Sequence, residues 1–148
     1  MTAGDCILTR LLSRGGGAII APPPGCPTRN TPWPTAGDAH VIRNAGGIIT
    51  PDELRSLAIG PRLLGTTEIM LIHHTDCGML TFTDEEFRSA IEDETGVRPA
   101  WESEAFDDLD TDLRQSIARI LADPSIPVTT SVRGFVYSVE DRSMREVT

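Results

Sequence analysis

The chain has 148 residues, enough for one domain. Its composition, with 39% hydrophobic and 24% charged residues, is that of an ordinary globular protein. No apolar run approaches the ~20 residues that span a bilayer, and the apolar segment after Arg10 and Arg14 is too short for a signal-peptide core. The segment 84–110, with eleven acidic residues and two arginines, accounts for the whole net charge of −9, which makes nucleic acid a poor partner. We expect a cytoplasmic protein with no nucleic-acid or membrane partner, whose three cysteines are thiols or metal ligands.

The first 36 residues differ from the rest of the chain in composition. Six of the eleven prolines fall between Pro22 and Pro34, just after three consecutive glycines. Such a segment is not expected to form a regular helix or a central strand, because proline lacks a backbone N–H and glycine weakens both structures. We therefore divide the chain into an irregular N-terminal arm, 1–36, with Gly17–Ala21 as its one candidate strand, and an α/β domain, 37–148.

A strand, a helix and a second strand are predicted at the start of this domain. Apolar runs bounded by glycine or polar residues indicate the two strands, Ala39–Arg43 and Glu68–His73. Thr50 and Glu53 have capping-box spacing around a proline at the first helical position, so the helix should begin at Pro51. We expect the Gly60–Pro61 pair to kink or interrupt this helix.

The second half of the domain repeats the alternation of helices and strands. Thr83 and Glu86 form another capping box, opening a helix that Gly96 closes. A third helix is predicted over 107–122 from apolar residues at helical spacing. Two strands follow, Gly134–Val139 and a short antiparallel edge, Met144–Thr148. Strands that alternate with helices indicate a parallel α/β sheet.

The stretch "IMLIHHTDCGML" places polar side chains where a buried strand ends. His74 and Cys77 are separated by two residues on a turn, and an imidazole with a thiolate suits the tetrahedral preference of zinc. Thr75 and Asp76 are then placed to orient the two ligands. The alternative is that these are partly buried residues satisfied by backbone hydrogen bonds, since short His-x-x-Cys matches are frequent. A catalytic zinc also needs a third protein ligand.

Three longer segments of the domain resemble the beta class of carbonic anhydrases: "GDAHVIRNAGG", "RSLAIGPRLLGTTEIMLIHHTDCGMLTF" and "RGFVYSVEDRSMREV". The resemblance implies a central, mostly parallel β-sheet flanked by helices, and homodimers or higher homo-oligomers. It also implies a Zn²⁺ enzyme that interconverts carbon dioxide and bicarbonate through a zinc-bound hydroxide. His74 and Cys77 match two of the family's three protein zinc ligands.

The family's remaining ligand motif, Cys-x-Asp-x-Arg, is missing from this sequence. Its cysteine position falls near Ala21, where Cys26 is the nearest thiol and Cys6 is more remote; a partner chain is another possible source of the ligand. A shifted reading frame before residue 36 is a further explanation, which translating the coding nucleotides in the other frames would test. We expect weakened zinc binding and severely reduced hydratase activity, and the alternative is a non-catalytic dimerising or regulatory module.

No catalytic or metal-binding role is predicted for the remaining candidate residues. We expect His40 to be structural, and His73 to lie in the core or to support the ligands. The loop residues Arg43, Asn44 and Gly46 are expected to shape the site or a dimer contact. The two tryptophans, Trp33 and Trp101, are expected to pack internally or at an interface.

Overall fold

A computed structural model describes residues 17–21, as backbone, together with 39–127 and 130–148. The described elements are five strands and three α-helices, and a 3-10 turn, Gly78–Leu80, follows the third strand. In chain order the elements are β1 (Gly17–Ala21), β2 (His40–Asn44), α1 (Pro51–Leu63), β3 (Glu68–His74), α2 (Asp84–Thr95), α3 (Leu109–Ala122), β4 (Ser131–Tyr137) and β5 (Met144–Val147).

The five described strands form one sheet in the order β2-β1-β3-β4-β5. Both neighbours of β1 run antiparallel to it, so β2, β3 and β4 share one direction and their carboxyl ends lie at the same edge. The predicted α/β class is confirmed. The sheet is nevertheless mixed rather than mostly parallel, because β1 runs against its neighbours and β5 turns back beside β4, leaving β3–β4 as the one parallel pairing among the described strands.

The strand predicted at Gly17–Ala21 is present, but it occupies the middle of the sheet. The glycines and prolines of this part of the chain predict no central strand, so this prediction is wrong for Gly17–Ala21. The five residues of β1 contain no proline, so each can take part in the ladders to β2 and β3. The rest of the predicted arm, including Cys6, Cys26 and Trp33, lies outside the described residues.

The predicted starts of α1 and α2 are confirmed by their caps, and α3 begins at Leu109, two residues later than predicted. Thr50 precedes α1 and Thr83 precedes α2, and in each case the glutamate three residues later completes a capping box. Gly96 ends α2 with a φ of 75°. The expected interruption at Gly60–Pro61 is wrong, because α1 continues through Pro61 to Leu63. Pro61 lies in the last turn of α1, so it removes one intrahelical hydrogen bond close to the end of the helix.

The main hydrophobic core lies between the sheet and helices α1 and α3. Alternate residues of β3, Ile69 and Leu71, meet Leu57 of α1 and Leu113 and Ile120 of α3 there. The intervening residues of β3 point to the other face of the sheet and contact a second cluster, composed of Met70, Ile72, Phe135 and Tyr137. Within the described residues, no helix is long and apolar enough to cross a membrane.

Leu113→Ala tests the contribution of the main core to stability. Leu113 is fully buried at 0% exposure, so we expect the free energy of unfolding to fall by about 2 to 5 kcal/mol. The matched control is Leu121→Ala on the same helix, where 61% exposure predicts a change within about 0.5 kcal/mol. Urea unfolding followed by circular dichroism measures both, and equal losses would contradict this assignment of the core.

Candidate metal centre

The turn after β3 is built from backbone hydrogen bonds that extend the sheet. Thr75 N–H donates to the Tyr137 carbonyl at 2.9 Å and so continues the β3–β4 ladder by one residue. Asp76 then adopts a positive φ of 56°, which reverses the chain. The Leu80 N–H donates to the Cys77 carbonyl at 3.1 Å, starting the 3-10 turn. His74 and Cys77 therefore lie on either side of a tight turn at the carboxyl edge of the sheet, where α/β folds place their sites.

Thr75 fixes this turn through its side chain as well as its backbone. Its hydroxyl donates to Glu140 at 2.8 Å and accepts from the Val139 N–H at 2.9 Å. Both partners lie in the connection between β4 and β5. The turn that carries the candidate ligands is thereby tied to the neighbouring turn. Asp76 is exposed, and its positive φ shapes the turn.

The hydrogen bonding of His74 leaves one ring nitrogen free. His74 is buried, and its Nδ1–H donates to the Thr75 carbonyl at 2.7 Å. Because a carbonyl only accepts, the lone pair of the neutral ring lies on Nε2. That Nε2 is buried and has no hydrogen-bond partner among the described residues. A buried, unpaired imidazole nitrogen with a fixed tautomer has the arrangement of a metal ligand.

His74 and Cys77 are close enough to change each other's ionisation. The Cys77 side chain raises the pKa of His74 above its ordinary value, and burial opposes that change. Burial raises the pKa of the Cys77 thiol, but His74 and the Met79 backbone outweigh it, so the pKa lies below its ordinary value. A thiol with a lowered pKa supplies more thiolate, the form that binds metals. The pair therefore fits two positions of a zinc coordination sphere.

Apolar residues pack around Cys77. Cys77 is buried at 5% exposure with Ile48 and Met79, and Leu80, Phe82 and Phe106 pack against this group. Gly46 closes the cluster from the end of β2, where its φ of +77° favours glycine. A Cβ at Gly46 would lie 3.0 Å from Met79 Cγ and 3.3 Å from Phe106 Cε1. The predicted role of Gly46 in shaping the site thus has a steric basis.

A third ligand is not found in the part of the chain that the structure describes. Among residues 39–127 and 130–148, no three histidine, cysteine or acidic side chains are grouped so that they could hold an ion. Cys77 is the one cysteine within these ranges.

The direction of β1 bears on Cys26 as a substitute ligand. In the ladder Ala18 pairs with Ile72 and Ile20 with Met70, so Ala21 lies near the amino end of β3, away from His74. The five residues from Ala21 to Cys26 span at most about 17 Å when extended. The return along β3 to His74 is also about 17 Å at ~3.3 Å per residue. Cys26 could reach the site only along a straight path, so the topology argues against it.

The other histidines differ from His74 in their surroundings. His40 is exposed at the start of β2. His73 is buried at 1% exposure, and its Nε2–H donates to Asp112 of α3 at 2.6 Å. The ring of His73 also stacks on Phe106, with centroids 5.2 Å apart and planes inclined by 8°. The prediction that His73 lies in the core is confirmed.

Asp112 and Phe106 are not among the residues that the sequence patterns predict for the site. For Asp112 a signal exists, because it lies three residues after Leu109 and four before the buried Ser116, within the inward stripe of α3. An acidic residue on a buried stripe needs a polar partner. Among the other candidates, Asn44 donates to the Ile48 carbonyl at 2.8 Å, and Trp101 is 56% exposed and contacts Phe87.

Comparisons with known proteins place this chain in one family. No protein-family model matches the chain. The chain is 58% identical over 112 residues to beta-carbonic anhydrase 1 of Mycobacterium bovis and of Mycobacterium tuberculosis, which covers 76% of this chain and 69% of each relative. The structure of carbonic anhydrase from Streptococcus mutans superposes with a TM-score of 0.74 at 40% identity, covering 78% of this chain and 70% of that one.

The chain belongs to the beta-class carbonic anhydrases, a family of enzymes. It is also similar to a carbon disulfide hydrolase of Saccharolobus solfataricus, with 35% identity over 133 residues, 74% of this chain and 65% of that relative. The family resemblance stated from the sequence is confirmed.

Gly46→Ala tests the steric closure of the cluster around Cys77. A left-handed φ costs alanine about 1 to 2 kcal/mol, and we expect the contacts with Met79 and Phe106 to add about 1 to 3 kcal/mol to the loss of unfolding free energy. Gly96→Ala is the matched control, since Gly96 has a φ of +75° with no atom within 4 Å of the added Cβ. Chemical denaturation measures both variants. Equal losses would show that Gly46 does not pack against Met79.

Proposed function

We propose that this chain binds Zn²⁺ through His74 Nε2 and Cys77 Sγ and catalyses the reversible hydration of carbon dioxide to bicarbonate. The observation that carries the proposal is the buried Nε2 of His74, unpaired within the described residues and next to a thiol of lowered pKa. The carbonic anhydrases among its relatives support the same reaction.

The chain's own residues prepare the two donors. The Thr75 carbonyl holds the His74 ring in the tautomer whose Nε2 lone pair is free, and the Thr75 hydroxyl fastens the turn to Glu140 and Val139. Ile48 and Met79 keep water away from one side of the Cys77 sulfur. Bound zinc supplies the electrostatic activation of water on which the hydration of carbon dioxide depends.

The donor set is incomplete within the described residues, and this sets the expected strength of the site. A third position would be filled by water, by a small ligand or by a residue of a partner chain. Because complete structural zinc sites contribute about 10 to 16 kcal/mol, losing one of three protein ligands should weaken binding by several kcal/mol. The absence of the Cys-x-Asp-x-Arg motif also removes the family's acidic residue and arginine. We therefore propose a hydratase of reduced activity.

Carbon disulfide is the second candidate substrate. It is favoured by the relatives that are named carbon disulfide hydrolases. Like carbon dioxide, it is a small linear molecule with an electrophilic carbon, so the same pair of donors would serve both reactions. Assays of one preparation with the two substrates distinguish them.

A non-catalytic module is the other alternative, favoured by the two-donor site. In this case the fold would persist as a dimerising or regulatory unit with weak zinc or none. Our proposal for the active form is a cytoplasmic homodimer or higher oligomer, as the family resemblance implies. Sedimentation velocity measures the assembly, and a metal-free, folded dimer without hydratase activity would support the module.

Cys77→Ser tests the zinc site directly. At saturating zinc we expect the wild-type chain to bind about one ion, and Cys77→Ser to lose at least about tenfold in zinc affinity, because the thiolate is one of the donors. Equilibrium dialysis with inductively coupled plasma mass spectrometry measures the stoichiometry, and competition with a chromogenic chelator measures the affinity. Stopped-flow hydration of carbon dioxide should fall in parallel.

Cys26→Ser is the matched control for this experiment. We expect its zinc content and hydration rate to equal those of the wild type, because the carboxyl end of β1, at Ala21, lies near the amino end of β3 and away from His74. An equal loss in Cys26→Ser and Cys77→Ser would instead identify Cys26 as the third ligand. A wild-type chain that binds no zinc would refute the proposed enzyme.

A further inference from the structure

We propose that the His73–Asp112 pair, together with Phe106, positions both candidate metal donors and is not merely part of the core. The inference rests on the proposed function for its metal readout, and it names His73, Asp112 and Phe106 as positioning residues. They act through His74 and Cys77 and do not bind the ion themselves.

The contact between His73 and Asp112 fixes the end of β3 against α3. The side chain of His73 is fully buried and that of Asp112 is 13% exposed, and 2.6 Å separates Nε2 from Oδ2 across 39 residues of sequence. Because strand residues alternate between faces, the ring of His73 points to the α3 side while that of His74 points to the other. His73 therefore sets the backbone from which His74 projects without entering the metal site.

A second route leads from the same ring to Cys77. The ring of His73 stacks on Phe106, and the Phe106 N–H donates to the Met79 carbonyl at 3.3 Å. Met79 and Phe106 both belong to the apolar group that encloses Cys77. One imidazole thus connects to the first donor through the peptide backbone and to the second through Phe106.

The polar nature of this contact distinguishes positioning from simple packing. Apolar side chains of similar shape would fill the same space at little or no cost in stability. A hydrogen bond to a carboxylate, combined with parallel stacking, fixes both the translation and the rotation of the ring. A fixed ring is useful where two donors must meet one ion within narrow limits of distance and angle.

The test compares Asp112→Ala with Asp110→Ala on the full-length chain. Both residues lie in the first turn of α3, and Asp110 pairs with Arg145 of β5 instead of contacting the β3 edge. Cobalt(II) serves as the probe because its visible absorption reports both the cysteine ligand and the coordination geometry. We expect Asp112→Ala to weaken cobalt binding by about 10- to 100-fold and to alter its spectrum, because such supporting partners have effects of this size. Asp110→Ala should change neither.

Two conservative variants guard against a failure to fold. Asp112→Asn retains an oxygen acceptor for His73 and should restore most of the affinity and the wild-type spectrum. Phe106→Leu keeps an apolar side chain but removes the stacking, and should alter the spectrum through Cys77. If Asp112→Ala binds cobalt like the wild type while losing stability, or if Asp112→Asn fails to rescue a folded protein, the positioning role is overturned.

A metal-free readout separates this inference from the proposed function. Alkylation of Cys77 by iodoacetamide is followed in the tryptic peptide 63–88, which contains neither of the other two cysteines. We expect Asp112→Ala to react at least about fivefold faster than Asp110→Ala, since local opening of the turn controls access to a buried thiol. Equal rates would overturn the inference. A wild type that binds no cobalt or zinc, combined with the expected difference in alkylation, would refute the enzyme and leave the positioning device supported.

Discussion

The parallel pairing of β3 with β4 is the constraint on which the candidate metal centre depends. Its ladder matches Glu68–His74 with Ser131–Tyr137 along the whole length of both strands. The Thr75 N–H adds one more hydrogen bond to the Tyr137 carbonyl, so the ladder ends only after His74. The turn to Cys77 therefore starts from a fixed backbone. The carbonyl that orients the His74 ring belongs to Thr75, whose N–H makes this last hydrogen bond.

The reversed direction of β1 agrees with the finding that this fixed edge has two donors and not three within the described residues. A strand parallel to β3 would bring its carboxyl end, and the residues after it, to the side of His74. Here the carboxyl end of β1 pairs with the start of β2, at Ala21 and His40, and lies at the opposite edge of the sheet. The sequence lacks the ligand motif, and β1 ends at the edge of the sheet away from His74. A third donor from residues 22–38 would have to return along the sheet.

The sequence was sufficient for the elements whose determinants are local. The starts of α1 and α2 could be predicted because a capping box involves only four consecutive residues, here Thr50 to Glu53 and Thr83 to Glu86. The direction of β1 could not be predicted in this way, because it depends on which neighbours the strand finds. His74 and Cys77 share one turn and were readable from their spacing, whereas Asp112 is separated from His73 by 39 residues and becomes its partner only when α3 packs on the sheet.

The two consecutive histidines show how position on the strand separates residues of the same type. Strand alternation sends His73 into the helix-covered core, where Asp112 occupies its Nε2 and Phe106 covers its face. His73 Nδ1 is also unpaired among the described residues, but it is enclosed in that core. His74 projects to the opposite face, where its unpaired nitrogen is accompanied by a thiol that changes its pKa. The donor next to His73, Asp112, already accepts the hydrogen bond from its Nε2, whereas the unpaired Nε2 of His74 has the Cys77 thiol beside it. The chemistry proposed for the site therefore follows from a difference of one residue in position along β3.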